Sequence, residues 1–137
     1  NLLIRTSQLI GTTIAGEEIP RAIDELPLIA LLGCYAKGQT IVRDAQELRV
    51  KESNRIDAII SVLGSMGAKI NATEDGFVVE GGHTLTGTLL DGQMDHRIGI
   101  LAAIAGALAE DETEVINDAV SISYPTFWNT LKKVAQV

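Results

Sequence analysis

Residues 95–109 read DHRIGILAAIAGALA, three polar residues followed by an almost wholly apolar run. The run over 98–109 is apolar nearly all round a helical wheel, which predicts a helix buried on every side. Residues 24–36, DELPLIALLGCYA, repeat the pattern of an acid and then an apolar stretch, with the helix expected over 26–36. Both runs are far shorter than the roughly 18–20 residues that cross a membrane. We therefore expect two helices in the core of a folded domain.

The segments after these two runs are also alike. The first run is followed by KGQTIVRDAQELR and the second by EDETEVINDAVSI, and each predicts a strand that ends in Asp-Ala, at 44–45 and 118–119. A helical segment follows each strand, RIDAIISVLGSMG and SYPTFWNTLKKV. This repeat predicts a βα unit used twice in one small α/β domain. Two buried helices in so short a chain require sheets on the outside or coverage by further sequence.

Two local patterns sharpen the prediction for the middle of the chain. From about Glu52, apolar residues recur at three- and four-residue spacing and give a helix one apolar face, with Gly67 as its C-terminal stop. Residues 68–73 and 77–80 then alternate around Glu74-Asp75-Gly76, which predicts a β-hairpin.

Composition excludes several classes of protein. Of the 137 residues, 46% are hydrophobic and 4% aromatic, so an aliphatic core is expected, and the net charge of −7 argues against a nucleic-acid or membrane-surface binder. The single cysteine, Cys34, lies in an apolar run and is expected to be a buried small residue, consistent with a cytoplasmic protein. The start NLLIRTSQ has no signal-peptide pattern and lacks an initiator Met, which suggests a piece of a longer chain.

One charged cluster, Arg49-Val50-Lys51-Glu52-Ser53-Asn54-Arg55, falls where a strand gives way to a helix. The unpaired N–H groups and positive dipole end of a helix start, with these cations, suit a phosphate or carboxylate ligand. In the other interpretation, Glu52 only favours the helix start and the cations are solvated. The charge pattern leaves both open.

A second cluster, Asp95-His96-Arg97, opens the buried helix over 98–109. Asp95 as an N-cap and a neutral His96 bonded to a backbone carbonyl account for two of the three, whereas the Arg97 guanidinium needs an anion. Asp24 holds the equivalent place in the first half; it is either an N-cap, with Pro27 in the first turn, or part of a site. If the two units stack side by side, all three groups line one surface.

Other site classes are not supported by the sequence. Two histidines 13 residues apart and one cysteine give no zinc spacing, so no metal site is expected. No Walker-type loop, G-x-G-x-x-G or G-x-S-x-G motif is present.

The run RDAQELRVKESNRI closely resembles the RDAEELRVKESDRI stretch typical of EPSP synthases. EIPRAIDELPLIALL, GAKINATEDGFVVEGG, MDHRIGILAAIAG and SISYPTFWNTL also match in order, over about residues 2 to 134. The resemblance implies an inside-out α/β barrel-type domain built from repeated βαβαββ units. About two of three units are expected, near 1–80 and 81–137, so that 1–137 is a partial C-terminal domain without the N-terminal domain.

The resemblance also implies a reaction, the transfer of the enolpyruvyl group of phosphoenolpyruvate to the 5-hydroxyl of shikimate 3-phosphate, without cofactor or metal. By motif match, Asp24 resembles the acid that accepts the hydroxyl proton, Lys51 the lysine beside that hydroxyl, and Glu52 the carboxyl that protonates and deprotonates the enolpyruvyl carbon. Arg55 and Arg97 resemble the pair that grips phosphoenolpyruvate. We expect Asp95 and His96 to hold Arg97 in place.

The family resemblance leaves one departure and two alternatives. A lysine that some members carry three residues before the last "YP" proline is Ile122 here. The alternatives are the sister enolpyruvyl transferase acting on UDP-N-acetylglucosamine, and an inactive folded fragment with at most weak anion binding. The expected ligands are phosphoenolpyruvate and shikimate 3-phosphate, with glyphosate as the family inhibitor, and the full-length protein is expected to be a monomer.

Overall fold

The computed structural model describes residues 1–135 and has a mixed α/β fold. In chain order the elements are β1 (Thr13–Ile14), α1 (Glu18–Ala22), α2 (Leu26–Tyr35), β2 (Gln39–Val42), α3 (Arg55–Ser65), β3 (Lys69–Ala72), β4 (Phe77–Glu80), β5 (Leu89–Asp91), α4 (His96–Leu108), β6 (Glu114–Ile116) and α5 (Phe127–Ala135). Two 3-10 helices, Gln46–Val50 and Val120–Ile122, precede α3 and α5.

Two sheets flank a central group of helices. The first has strand order β1-β2-β4-β3, with β1 parallel to β2 and the other pairs antiparallel; β5 and β6 form a second, parallel pair. Helices α2, α3 and α4 contact one another, α2 and α3 lie against the first sheet, and α4 lies against the second. The core is therefore made by helices between sheets.

The predicted buried helices are confirmed, with bounds shifted by one or two residues. Leu26 and Ala30 of α2 and Ile98 and Leu101 of α4 are fully buried, although both helices also expose an apolar residue near their C-termini. Pro27 lies in the first turn of α2, where a proline needs no N–H partner. The predicted hairpin is also confirmed, with Ile70 opposite Val79.

Four other predicted boundaries were wrong. Helix α3 begins at Arg55, not near Glu52, because the Asn54 side chain accepts a hydrogen bond from the backbone N–H of Asp57 and caps the helix there. Helix α5 begins at Phe127, so residues 123–126 precede it. Strands β2 and β6 end before their Asp-Ala pairs.

The reason for the early strand ends is the backbone conformation. Asp44 has φ 59°, and Asn117 and Ala119 have φ 52° and 50°, all in the left-handed region that a strand cannot accommodate. By contrast, the predicted stop of α3 is correct, because Gly67 takes φ 93° one residue after the helix C-cap.

No helix within residues 1–135 is both long enough and apolar enough to cross a membrane. In the same residues, no group of three or more His, Cys, Asp or Glu side chains is arranged to hold a metal ion.

Candidate active site

The N-terminal ends of α2, α3 and α4 bring together charged side chains from distant parts of the sequence. Asp24 lies two residues before α2, Arg55 is the first residue of α3, and Asp95 is the N-cap of α4. The three helices contact one another, so the side chain at the start of α3 reaches both neighbours. The groups that were expected to line one surface do meet in one cluster of ion pairs, formed by Asp24, Glu52, Arg55, Asp95 and Arg97, but Arg55 and Asp95 lie buried beneath the other three.

Arg55 is the centre of this cluster. Its side chain is 2% exposed. Its Nε donates to Asp95 Oδ2 at 2.9 Å, its Nη2 to Asp95 Oδ1 at 3.1 Å and Glu52 Oε2 at 2.7 Å, and its Nη1 to Asp24 Oδ1 at 3.2 Å. Since a guanidinium has five N–H groups, one N–H on Nη1 remains for another acceptor.

The carboxylates keep this buried guanidinium charged. Burial by itself would lower the pKa of Arg55, but the hydrogen bond to Asp95 and the charges of Asp95, Glu52 and Asp24 raise that pKa above its ordinary value. From the sequence, Arg97 was the guanidinium expected to need an anion beside the core. The structure places the buried cation at Arg55, because the Arg55 side chain points between helices whereas Arg97 lies at their edge.

Asp95 is fully buried and both of its oxygens are fully used. Oδ2 accepts from Arg55 Nε and from Ser53 Oγ at 2.8 Å, and Oδ1 accepts from Arg55 Nη2 and from the backbone N–H of Arg97 at 3.0 Å. Burial would raise the pKa of the Asp95 carboxyl, yet the hydrogen bonds from Arg55 and Ser53 and the Arg55 charge lower it below its ordinary value. Asp95 is therefore both the predicted N-cap and the counter-ion of Arg55.

Arg97 is held more loosely. Its Nη2 lies 3.5 Å from Asp24 Oδ2 and its Nη1 lies 3.9 Å from Glu25 Oε1, and its side chain is 35% exposed. Its Nε is buried and has no hydrogen-bond partner among residues 1–135. The partly exposed Arg97 guanidinium, with its loose ion pairs, can bind an oxyanion more readily than the enclosed Arg55.

Other residues of the two charged clusters have separate contacts. Lys51 Nζ lies 3.2 Å from Glu47 Oε1 rather than against Asp24 or Glu52. Arg49 is not simply solvated, because it donates to the backbone carbonyls of the β3–β4 turn and to Asp57. His96 is half-buried next to Arg97 in sequence. Within the described chain, no hydrogen bond joins His96 to Arg97.

The internal repeat aligns differently from the sequence expectation. Gly33 packs against Thr40 in the first half, and Gly106 packs against Thr113 in the second, so the C-terminal ends of α2 and α4 correspond. Asp24, which precedes α2, and Arg97, which lies in α4, are each nine residues before these glycines. The counterpart of Asp24 is thus Arg97 rather than Asp95, because α4 begins about one turn earlier.

Sequence reasoning gave no role to Ser53, Glu25 or Glu47. Ser53 stands inside the recognised cluster, and its hydroxyl is a plausible partner for a buried acid, but nothing in the sequence says that Asp95 is that acid. Asp24 was considered as an N-cap, yet Glu25 occupies that position and makes no side-chain cap. The Asp24 carboxylate instead lies between Arg55 and Arg97.

A groove of about 710 Å³ lies elsewhere, between the C-terminal half of α4, β6 and α5. Its walls include Gly106, Trp128 and Leu131, and none of the clustered residues above lines it. The groove has a mainly apolar lining without converging cations. The helix-start cluster therefore is the better candidate for acid–base and anion chemistry.

Comparisons of sequence and of structure with known proteins give one consistent result. A sequence model of the family described as EPSP synthase (3-phosphoshikimate 1-carboxyvinyltransferase) matches residues 2–131. Relatives named 3-phosphoshikimate 1-carboxyvinyltransferase include one from Brevibacillus brevis, 49% identical, and one from Bacillus cereus, 48% identical, and each alignment covers 99% of this chain and 32% of the relative. A solved EPSP synthase from Acinetobacter baumannii is similar with a TM-score of 0.87 and 32% identity, covering 92% of this chain and 30% of that one.

The chain thus spans about a third of the length of the curated relatives it matches. Its fold is similar to the corresponding part of a solved family member. Since the family model covers all but a few residues, the chain belongs to the EPSP synthase (3-phosphoshikimate 1-carboxyvinyltransferase) family.

Proposed function

We propose that this chain supplies one wall of the active site of an enzyme that transfers the enolpyruvyl group of phosphoenolpyruvate to the 5-hydroxyl of shikimate 3-phosphate, releasing phosphate. The observation that carries the proposal is the convergence of Asp24, Glu52 and Arg97 on the buried Arg55, in a member of this family. The cluster combines groups that exchange protons with groups that bind anions, and the reaction needs both.

The two arginines are proposed to bind phosphoenolpyruvate. Arg97 is half-exposed and loosely paired with Asp24 and Glu25, so an incoming carboxylate or phosphate can replace those carboxylates. Arg55 contributes its remaining Nη1 N–H and its fixed positive charge. Cationic donors near the phosphate also stabilise the charge on that group as it leaves.

The carboxylates are proposed to move protons at two places. During addition, the 5-hydroxyl oxygen bonds to the central carbon of phosphoenolpyruvate while its proton passes to Asp24, and Glu52 gives a proton to the terminal carbon. In elimination, Glu52 takes a proton back from that carbon as the C–O bond to phosphate breaks, and the proton held by Asp24 passes to the departing phosphate, so that both carboxyl groups return to their starting states. Both side chains are partly exposed, Asp24 by 42% and Glu52 by 53%, so substrate can reach them.

Lys51 is proposed to lie beside the reacting hydroxyl. In the structure without ligands it pairs with Glu47 on the preceding turn, and this exposed i,i+4 pair is weak enough to exchange. Asp95 and His96 are proposed as supporting residues. Asp95 acts through the side chain of Arg55 and the backbone of Arg97.

The finer features of the fold and setting belong to the same proposal. Residues 1–80, with elements in the order β-α-α-β-α-β-β, are proposed to form one repeat unit, in which α1 is an addition of five residues, and 81–137 to begin a second unit of a partial C-terminal domain; the single sheet formed by β1 to β4 supports this division. The other substrate-binding wall belongs to an N-terminal domain of the parent. We also propose a cytoplasmic, monomeric, cofactor-independent enzyme that glyphosate inhibits.

A chimera tests the function directly. The matching third of the Brevibacillus brevis relative is replaced by this chain, and phosphate release is measured with phosphoenolpyruvate and shikimate 3-phosphate. Glu52→Gln and Arg97→Ala are each expected to lower kcat/KM by at least about a hundredfold. The matched controls, Glu80→Gln and Lys37→Ala, change exposed residues at the other end of α2 and are expected to leave the rate unchanged.

The outcomes separate the alternatives. Phosphate release with UDP-N-acetylglucosamine but not with shikimate 3-phosphate would assign the chain to the sister transferase. A chimera inactive with both acceptors, while the unmodified relative is active, would refute the catalytic proposal. The 137-residue chain by itself is expected to be inactive, because it carries only one wall of the site.

A further inference from the structure

The Ser53 hydroxyl joins the segment before α3 to the start of α4. Residues 51–53 lie between the first 3-10 helix and Asn54, the N-cap of α3, and belong to neither helix. Ser53 Oγ donates to Asp95 Oδ2 at 2.8 Å, across 42 positions of sequence. The residue that precedes it is Glu52, so this bond fixes the backbone from which the Glu52 carboxylate projects.

The same hydroxyl completes the hydrogen bonding of a fully buried charge. A carboxylate offers about four lone-pair sites, and Asp95 receives four donors, of which Ser53 is the only neutral side chain. If that donor is removed, one site on a buried anion is left unsatisfied. Asp95 Oδ2 is then held by Arg55 Nε alone, so the carboxylate can tilt about its remaining three donors and change the geometry of the two Arg55 hydrogen bonds that hold the guanidinium plane.

The guanidinium plane in turn orients Glu52. Arg55 Nη2 donates to both Asp95 Oδ1 and Glu52 Oε2, at 3.1 and 2.7 Å. A rotation of Asp95 therefore shifts the donor that orients the Glu52 carboxylate. Since Glu52 is 53% exposed, its position depends on this contact more than on packing.

We propose that Ser53 is a positioning residue for Glu52, acting through its own backbone and through Asp95 and Arg55. The proposal rests on the proposed function, in which Glu52 moves protons on the enolpyruvyl carbon. Ser53 itself touches no reacting atom in the proposed reaction. Its contribution is to hold the Glu52 oxygen in the orientation from which proton transfer occurs.

The test uses the chimera with Ser53→Ala, Ser53→Thr and, as a matched control, Ser61→Ala on the exposed face of α3. Ser53→Ala is expected to lower kcat by roughly tenfold to a hundredfold with little change in either KM, because a shift of the acid–base group affects the proton transfers. Ser53→Thr keeps the hydroxyl and is expected to recover most of the rate. A Ser53→Ala rate within twofold of the parent, equal losses for Ala and Thr, or a loss confined to KM would overturn the proposal.

A second readout does not depend on catalysis. In the 137-residue chain, the carboxyl carbon of Asp95 is followed by NMR as the pH is lowered, and loss of the Ser53 donor is expected to raise the Asp95 pKa, whereas Ser53→Thr and Ser61→Ala do not. If the chimera is inactive but this shift is seen, the proposed function fails and the Ser53–Asp95 linkage stands. If the chimera is active and Ser53→Ala moves neither the rate nor the pKa, only the positioning proposal fails. Should Ser53→Ala not fold, Ser53→Cys, a weaker donor of similar size, is expected to give intermediate values, and parent-like values would refute the linkage.

Discussion

Replacing Asp95 by alanine isolates the buried counter-ion on which the cluster depends. Asp95 is 0% exposed and Arg55 2% exposed, and three of the four hydrogen bonds that Asp95 accepts come from side chains. Removing one partner of a buried ion pair typically destabilises by about 3–5 kcal/mol, since the remaining charge is left uncompensated. Arg55 keeps Asp24 and Glu52, which are partly exposed, so we expect the lower end, about 3 kcal/mol.

Urea unfolding of the 137-residue chain, followed by circular dichroism at neutral pH, measures this change. Glu47→Ala is the matched control. This variant also removes a carboxylate from an ion pair. Because the Glu47 side chain is 62% exposed, the free energy of unfolding should change by only about 0.3–0.5 kcal/mol. Asp95→Asn keeps the side-chain volume but turns an amide donor toward the donors of Arg55 or Ser53. Its change in the free energy of unfolding should therefore fall between those of Asp95→Ala and Glu47→Ala. Equal small effects for Asp95→Ala and Glu47→Ala would refute the idea that Arg55 depends on Asp95.

The pH dependence gives the same prediction a second measure. The pKa of Asp95 is lowered in the folded state, so its contribution is fully present above the ordinary carboxyl value of 3.8 and is lost as pH falls below that value through the folded pKa. Arg55 has a raised pKa, so its contribution is fully present below the ordinary arginine value and is lost only as the pH rises through the raised pKa, far from the acid range. We therefore expect the free energy of unfolding to fall more steeply below about pH 4 in the parent than in Asp95→Asn. Parallel curves would contradict the assignment.

Three further predictions concern the scaffold. Gly99→Ala places a Cβ against the backbone oxygen of Asp118 and should destabilise the fold by at least about 1–3 kcal/mol. Gly64→Ala, on open helix surface, should stabilise it by about 0.5–1 kcal/mol. Urea unfolding of both variants measures these changes, and equal effects would contradict the prediction. Burial raises the pKa of the Cys34 thiol to about 11, so a thiol reagent at pH 8 should label it only when the chain opens, and labelling as fast as in urea would disprove its burial. Arg49→Ala removes two bonds to carbonyls of the β3–β4 turn and should speed amide hydrogen exchange there while leaving the turn after α4 unchanged; an unaltered β3–β4 turn would show that Arg49 does not hold it.

Much of the local structure follows from the sequence alone. The all-apolar runs predicted α2 and α4 as buried helices, the alternation around residues 74–76 predicted the β3–β4 hairpin, and Gly67 predicted the end of α3. These features depend on side-chain periodicity and on glycine's access to positive φ, both properties of neighbouring residues. The charged clusters were also visible, because four charges next to apolar helices are conspicuous in an acidic, aliphatic chain.

The tertiary structure alone decided which charges are partners. From the sequence, Arg97 was expected to need an anion and Asp95 to hold Arg97 in place, but Arg55 is the enclosed guanidinium and Asp95 its counter-ion, and Asp95 reaches only the backbone N–H of Arg97. Asp24 and Asp95 hold equivalent places in the repeat predicted from the sequence, whereas in the packed helices Asp24 forms an ion pair with Arg97. The ion pairs of Arg55 with Asp24 and Asp95 join groups 31 and 40 positions apart, so they depend on the relative placement of helix ends, and that placement is fixed by core packing rather than by any local pattern.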